Sequence, residues 1–450
     1  MNRDLTKGPV IRTMLLFAVP MILGNLLQQC YNIADTMIVG KYLGETALAA
    51  VGSSFTLMTF LTSILLGLCM GSGAFFSIRF GRQDEAGLKE GAAASFVLIA
   101  GVTVLLNAAA FVCLDGIRVF LRVPDEVWGT MREYLGVIFC GIAATFLYNY
   151  YASFLRALGN SVVPLCFLAV SAILNIVLDL WFVLGLKWGA AGAAGATVIA
   201  QYVSGVGIMI YALARYPLVR FGTGRRRFSW NCVREIAGFS FLTCVQQSVM
   251  NLGILLVQGL VNSFGPVVMA AFAAAVKIDA FAYMPVQDFG NAFSTFVAQN
   301  YGAKQVKRIQ MGVRGAVLTA GLFSAAVSGA VWVFAGPLMG LFVDTADPAV
   351  RDIVREGVRY LHIEGAFYVG IGCLFLLYGL YRALGKPGMS VVLTVVSLGT
   401  RVALAYVLSA APEIGVAGIW WSVPIGWFLA DAAGLGFYVC RRKKLLGFGE

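Results

Sequence analysis

Residues 13–40 read TMLLFAVPMILGNLLQQCYNIADTMIVG, and Asp35 is the only charge between Arg12 and Lys41. A stretch of about 20 mainly apolar residues is long enough to cross a bilayer as a helix. A carboxylate inside such a helix costs roughly 2.5–3.5 kcal/mol at mid-membrane, so it faces a polar space or a partner rather than lipid. The chain repeats the oddity once. Asp179 is the only charge between Arg156 and Lys187, again inside an apolar run. The two carboxylates are expected to share one site around which the other helices are arranged.

The remainder of the chain fits that reading. Of its 450 residues 60% are hydrophobic and 12% charged, against about 25% charged in soluble domains. Strand-length alternation is absent, which argues against a barrel, and the 52 glycines suit closely packed membrane helices. Twelve apolar segments are legible, near 13–38, 47–77, 91–114, 128–155, 162–184, 190–214, 235–263, 267–300, 311–335, 357–381, 388–410 and 415–439. Lys and Arg gather at both ends and after segments two, six and eight, the positive-inside pattern, so both termini are expected in the cytoplasm of a multi-pass plasma (inner) membrane protein. The net charge of +11 follows from that bias and implies no nucleic-acid partner; Arg225-Arg226-Arg227 reads as an anchor at anionic lipid. Nine Cys without a C-x-x-C spacing and a single His, His362, supply neither a disulfide framework nor a His-based metal site. The first segment is too long for a cleavable signal.

Internal repetition organises the helices. Arg156-Ala157-Leu158-Gly159 recurs as Arg382-Ala383-Leu384-Gly385, an offset of 226 (382 minus 156), and Tyr134-Leu135 recurs as Tyr360-Leu361 at the same offset. Gly192 pairs with Gly418 likewise, while Gly81 and Gly91 pair with Gly302 and Gly312 at 221 (302 minus 81). The expected fold is therefore all-α and integral to the membrane: twelve transmembrane helices in two parallel six-helix repeats around a central cavity. The lobes are placed at 1–214 and 235–450, joined by a basic cytoplasmic linker at 215–234. Pro20, about four turns before Asp35, removes a helical hydrogen bond and bends helix one, either as a static kink or as a conformational hinge whose angle follows the state of Asp35.

Asn175 and Asp179 stand four apart and so share a helix face. Segment six offers Thr197 inside GAAGAAGATVIAQ (189–201), a small-residue run that admits close approach. Asp, Asn and Thr all present oxygen, the donor a hard cation such as Na⁺ prefers, and the carboxylates can take H⁺ instead. In the second half, Lys277, Asp279, Asp288, Glu364 with His362, Arg401 and Asp431 are charged or polar inside apolar segments. Pairing of Glu364 with Arg401, and of Lys277 with a carboxylate, would make most of them helix-packing ion pairs.

The residues also carry a resemblance. Pro20, Gln28-Gln29 and Asp35, the loop Phe80-Gly81-Arg82, the two RALG turns and Gln299-Asn300-Tyr301-Gly302-Ala303 together resemble the multidrug and toxic compound extrusion (MATE) family, in its DinF-like branch and among MepA-type members. The resemblance covers nearly the whole chain. It implies a cation site at Asp35, Asn175, Asp179 and Thr197, holding Na⁺ or H⁺. It also implies antiport of amphipathic, mostly cationic organic compounds by alternating access, with no enzymatic activity and no cofactor beyond the coupling ion. The NorM-like branch uses carboxylates in the second half, and the helix-seven stretch FSFLTCVQQSVMN (239–251) has none. Substrate contacts are expected among Gln28, Tyr31, Tyr148, Met284, Gln287 and Asp288, through cation–π and soft apolar contact, in a monomer. The alternative is a lipid-linked oligosaccharide flippase of the wider superfamily, which would hold pyrophosphate with Arg and Lys. An antiporter of the major facilitator type is disfavoured, because RFGRQDEAGLKEG (79–91) lacks that group's D-R and final R-R.

Overall fold

The computed structural model describes residues 4–121, 123–217, 229–342 and 349–447. The Arg225–Arg227 run and most of the expected linker lie outside them. Among the described residues the chain is helical, and eleven helices are long and apolar enough to cross a membrane. They are α1 (Val10–Gly44), α2 (Thr46–Gly81), α3 (Glu85–Val112), α4 (Asp125–Ala157), α5 (Val162–Gly185), α6 (Gly189–Arg215), α7 (Trp230–Asn262), α8 (Pro266–Gly302) and α9 (Val306–Gly340), followed by two more after a bent pair. The bent pair, Val350–Gly365 and Tyr368–Ala383, turns by 52° and supplies a twelfth span, α10, when counted as one. The last two are α11 (Pro387–Ser409) and α12 (Val416–Leu445). The expectation of twelve is met in this way.

The chain forms two compact units. Val19–Cys244 build the first; Leu5–Ala18 and the chain from Val245 onward build the second. Helices α1 and α7 thus each divide between the two units.

In the first unit, α6 packs on α4 and α5. The start of α7 lies against α2, and the approach is close because Gly67 and Gly71 face its backbone. A Cβ on Gly67 would stand 2.5 Å from the Cys244 Cα. Ser72 and Ser240 hydroxyls bond at 2.8 Å beside them. At the α2–α3 turn Asp84 caps α3 by accepting from the Gly87 amide at 2.8 Å. Arg79 donates to Asp84 at 2.8 Å with one arm and to Glu235 of α7 at 2.8 Å with the other. The Gly87 amide, and then Arg79, hold the Asp84 carboxyl below the usual carboxylate range. Because the folded value is lowered, its stabilisation is complete above the ordinary unfolded value and is lost as pH falls through the folded one. Asp84→Ala is expected to cost about 1 kcal/mol at neutral pH, less in acid, measured by thermal unfolding at both.

In the second unit, α8 packs on α9 and on both halves of α10, and α11 on α12. The segment before α1 is tied to this unit: the Leu5 amide donates to Gln299 Oε1 at 3.1 Å, and Arg308 donates to the Lys7 and Gly8 carbonyls at 2.7 and 2.6 Å.

Each unit repeats the other's local backbone at the sequence offsets. Gly44 breaks the chain between α1 and α2 with φ 82°, ψ −175°, and Gly265 does so between α7 and α8 with φ 94°, ψ 173°. That left-handed conformation is available at little cost only to glycine. Gly91 faces the ring edge of Phe75, and Gly312 that of Phe296. Gly159 (φ 82°) and Gly385 (φ 72°) close the RALG turns as helix C-caps. A 3₁₀ turn at Phe139–Gly141 interrupts α4 where the bend interrupts α10.

Candidate cation site

Three helices of the first unit bring together the four expected residues. From α1 comes Asp35, half-buried; from α5 come Asn175 and Asp179, 2% and 0% exposed; from α6 comes Thr197. The i, i+4 spacing does what it predicts, setting Asn175 and Asp179 on one buried face. Asn175 Nδ2 donates to Thr197 Oγ1 at 3.2 Å, which leaves the amide oxygen as an acceptor. The Asp35 and Asp179 carboxyls lie within interaction range of each other. Immediately after Asp179 the helix widens into a π turn, Trp181–Gly185, a distortion frequent at functional sites.

The polar atoms are the informative part. Among the described residues no donor reaches Asp179 Oδ1 or Oδ2, Asp35 Oδ1 or Asn175 Oδ1, all of them buried, while the Asp35 and Asp179 carboxyls lie close enough to share a proton. Buried polar atoms are nearly always paired. Four bare oxygens on three adjacent residues therefore form a ready acceptor set for a proton or a hard cation. No group of three or more His, Cys, Asp or Glu suited to a metal occurs among the described residues. The set is two carboxylates plus a neutral amide oxygen, hard donors of the kind that take a proton or a hard cation.

Tyr134 on α4 is a residue that pattern reading missed. It is 7% exposed and acts electrostatically on both carboxylates. The sequence marked it only as half of a repeat with Tyr360; nothing in its spacing linked it to α1 or α5. Tyr31 lies one turn before Asp35, hydrogen-bonds with Gln28 and neighbours Tyr148. Tyr148 donates to the Pro164 carbonyl at 3.1 Å. Of the other expected contacts, Met284 and Gln287 are half-buried on α8 and Asp288 is buried.

The second unit holds a different polar cluster. Asp279 accepts from Tyr360 at 2.6 Å and from Tyr368 through a short bond. Glu364 lies beside Asp279, and Arg401 acts on both from a distance. Two expected pairings fail among the described residues. Glu364 and Arg401 form no ion pair, because the Glu364 carboxyl turns toward Asp279 and Tyr360. Lys277 projects from the exposed face of α8 while Asp279, two residues on, points into the unit. Asp431, for which the sequence offered no partner, meets the Cys373 thiol. His362 stacks on Trp332, their centroids 4.8 Å apart.

Twelve apolar spans, two units of matched backbone and an acceptor site inside the bundle define an integral membrane transporter. A family model described as MatE matches residues 20–181 and 243–407. The chain belongs to the MatE family. It is 29% identical to the "Probable multidrug resistance protein YpnP" of Bacillus subtilis over 445 residues, 98% of each chain. It is 24% identical to the "Multidrug export protein MepA" of Staphylococcus aureus over 453 residues, 99% of this chain and 97% of the relative. Among solved structures, a MOP superfamily transporter from Pyrococcus furiosus superposes with a TM-score of 0.92 at 23% identity, covering 98% of both chains.

Proposed function

We propose that the protein is a cation-coupled antiporter of the DinF-like branch that exports amphipathic, mostly cationic organic compounds across the plasma membrane by alternating access. Na⁺ or H⁺ is the coupling ion, and the protein works as a monomer with both termini cytoplasmic. The observation that carries the reading is the set of bare buried oxygens on Asp35, Asn175 and Asp179. An ion taken up there replaces the missing hydrogen-bond donors. Coupling follows when one conformation binds that ion better than the other. Export of multiple drugs is supported by the relatives YpnP, a probable multidrug resistance protein, and MepA, a multidrug export protein.

Pro20 is the proposed hinge. Helix α1 passes from the second unit to the first between Ala18 and Val19, directly before this proline. Asp35 lies beyond it, so ion binding acts on the part of α1 held in the first unit. The lobes at 1–214 and 235–450 and the linker at 215–234 remain the proposed organisation.

The test is efflux of a fluorescent organic cation from proteoliposomes with Na⁺ and pH gradients imposed separately. Efflux driven by one gradient names the ion; no efflux with either gradient, from folded protein, overturns the antiport. In the same assay Glu364→Gln is expected to lower efflux less than Asp35→Asn does, since Glu364 lies beside Asp279, which two phenols hold in place. A loss equal to that of an Asp35 variant would move coupling to the second unit.

A further inference from the structure

Arg382 is the arginine of the second RALG turn, and export coupling makes no use of it. It sits in the last turn of α10 and is 5% exposed. Its side chain turns onto α8, where Nη2 donates to Asn291 Oδ1 at 2.9 Å and Nε reaches Ser294 Oγ at 3.4 Å. Both partners are neutral. Among the described residues no ion pair joins an acidic side chain to the guanidinium. The location is not a frayed rim, because α8 continues for eleven residues from Asn291 to Gly302, about 16 Å of helix.

An arginine does not escape burial by losing its proton, unlike a buried carboxyl, which simply takes one up. A permanent cation removed from water is ordinarily matched by an anion. The carbonyls at the end of α10 favour a cation there, but they do not neutralise it. The fork geometry of guanidinium suits the oxygens of phosphate in a bidentate pair.

We propose that Arg382, with Asn291 and Ser294 beside it, binds a phosphate-type oxyanion, either the headgroup of an anionic lipid or a free phosphate. The site belongs to the second unit. Its repeat counterpart, Arg156, is less buried, and the positions matching Asn291 and Ser294 at the 221 offset are Met70 and Gly73, which lack the flanking amide and hydroxyl. This inference is independent of the coupling ion.

The experiment is thermal unfolding of the purified full-length protein in neutral detergent. One titration adds inorganic phosphate against chloride at equal ionic strength; the other adds phosphatidylglycerol against phosphatidylcholine. Wild type is expected to show a saturable rise in unfolding midpoint of several degrees with phosphate, with phosphatidylglycerol, or with both. A response to phosphate assigns a free oxyanion, and a response to phosphatidylglycerol only assigns the lipid headgroup. Arg382→Gln is expected to need at least ten-fold more of the active probe, while Arg156→Gln responds as wild type does. Should Arg382→Gln fail to fold, Asn291→Asp retains the cation and supplies its counter-ion from within. It is expected to raise the midpoint without added anion and to abolish the response. An unresponsive wild type, or an unchanged response in Asn291→Asp, overturns the site.

Discussion

Asp35→Asn is expected to reduce gradient-driven efflux at least about ten-fold, to the level of protein-free vesicles, without unfolding the protein. Ten-fold corresponds to about 1.4 kcal/mol of lost differential binding. The amide matches the carboxyl in shape but carries no charge and offers one acceptor oxygen in place of two. Neither a proton nor Na⁺ is then held against release. Stability should move the other way or not at all. Among the described residues no donor reaches the buried Asp35 Oδ1 or either buried Asp179 oxygen, and replacing an unsatisfied buried charge by a neutral group removes a desolvation cost. Asp179→Asn is expected to behave alike, and Thr197→Val less severely, since Thr197 reaches the site through Asn175. Efflux and the unfolding midpoint measured on the same preparations separate coupling from folding. Retained efflux in either Asp variant sinks the proposed site. If Na⁺ is the ion, its apparent affinity should also fall in acid, because a coordinating carboxylate must first lose its proton.

The second large effect is structural. Gly71→Val is expected to lower the unfolding midpoint by at least about 5 °C, or to prevent recovery of folded protein. A Cβ at Gly71 would stand 2.6 Å from the Ser240 Cα and closer still to the Phe239 carbonyl. The obstacle is backbone, so no rotamer relieves it and α2 must move away from α7. Overpacking of this kind typically costs 1–3 kcal/mol or more, a shift of several degrees. The Ser72–Ser240 hydrogen bond beside it would be lost in the same movement. Gly101→Val is the control: that glycine is exposed on α3 and a Cβ there meets nothing within 4 Å. Equal effects of the two would mean that the α2–α7 approach is not tight.

By itself the sequence determined the class, the spans and the repeat. Each rests on a local or periodic property: apolar run length sets a span, basic loops set the pattern of the ends, and Gly159 and its partner Gly385 occupy backbone positions that few other residues tolerate. The candidate site was legible for a related reason. A lone carboxylate in an apolar helix stands out without knowledge of its neighbours, and Asn175 with Asp179 follows from helical geometry. Other features depended on which helices meet, and residue spacing does not encode that. Tyr134 comes within electrostatic range of the two carboxylates only because α4 packs on α6. The Glu364 carboxyl turned to Asp279 and Tyr360 in place of Arg401 because of how α8 and α10 meet, and Lys277 and Asp279 parted because they lie on different faces of one helix. The division of α1 and α7 between two units, and the burial of Arg382 against the neutral Asn291 and Ser294, likewise came from tertiary packing, which sets each buried charge's neighbours irrespective of their distance along the chain.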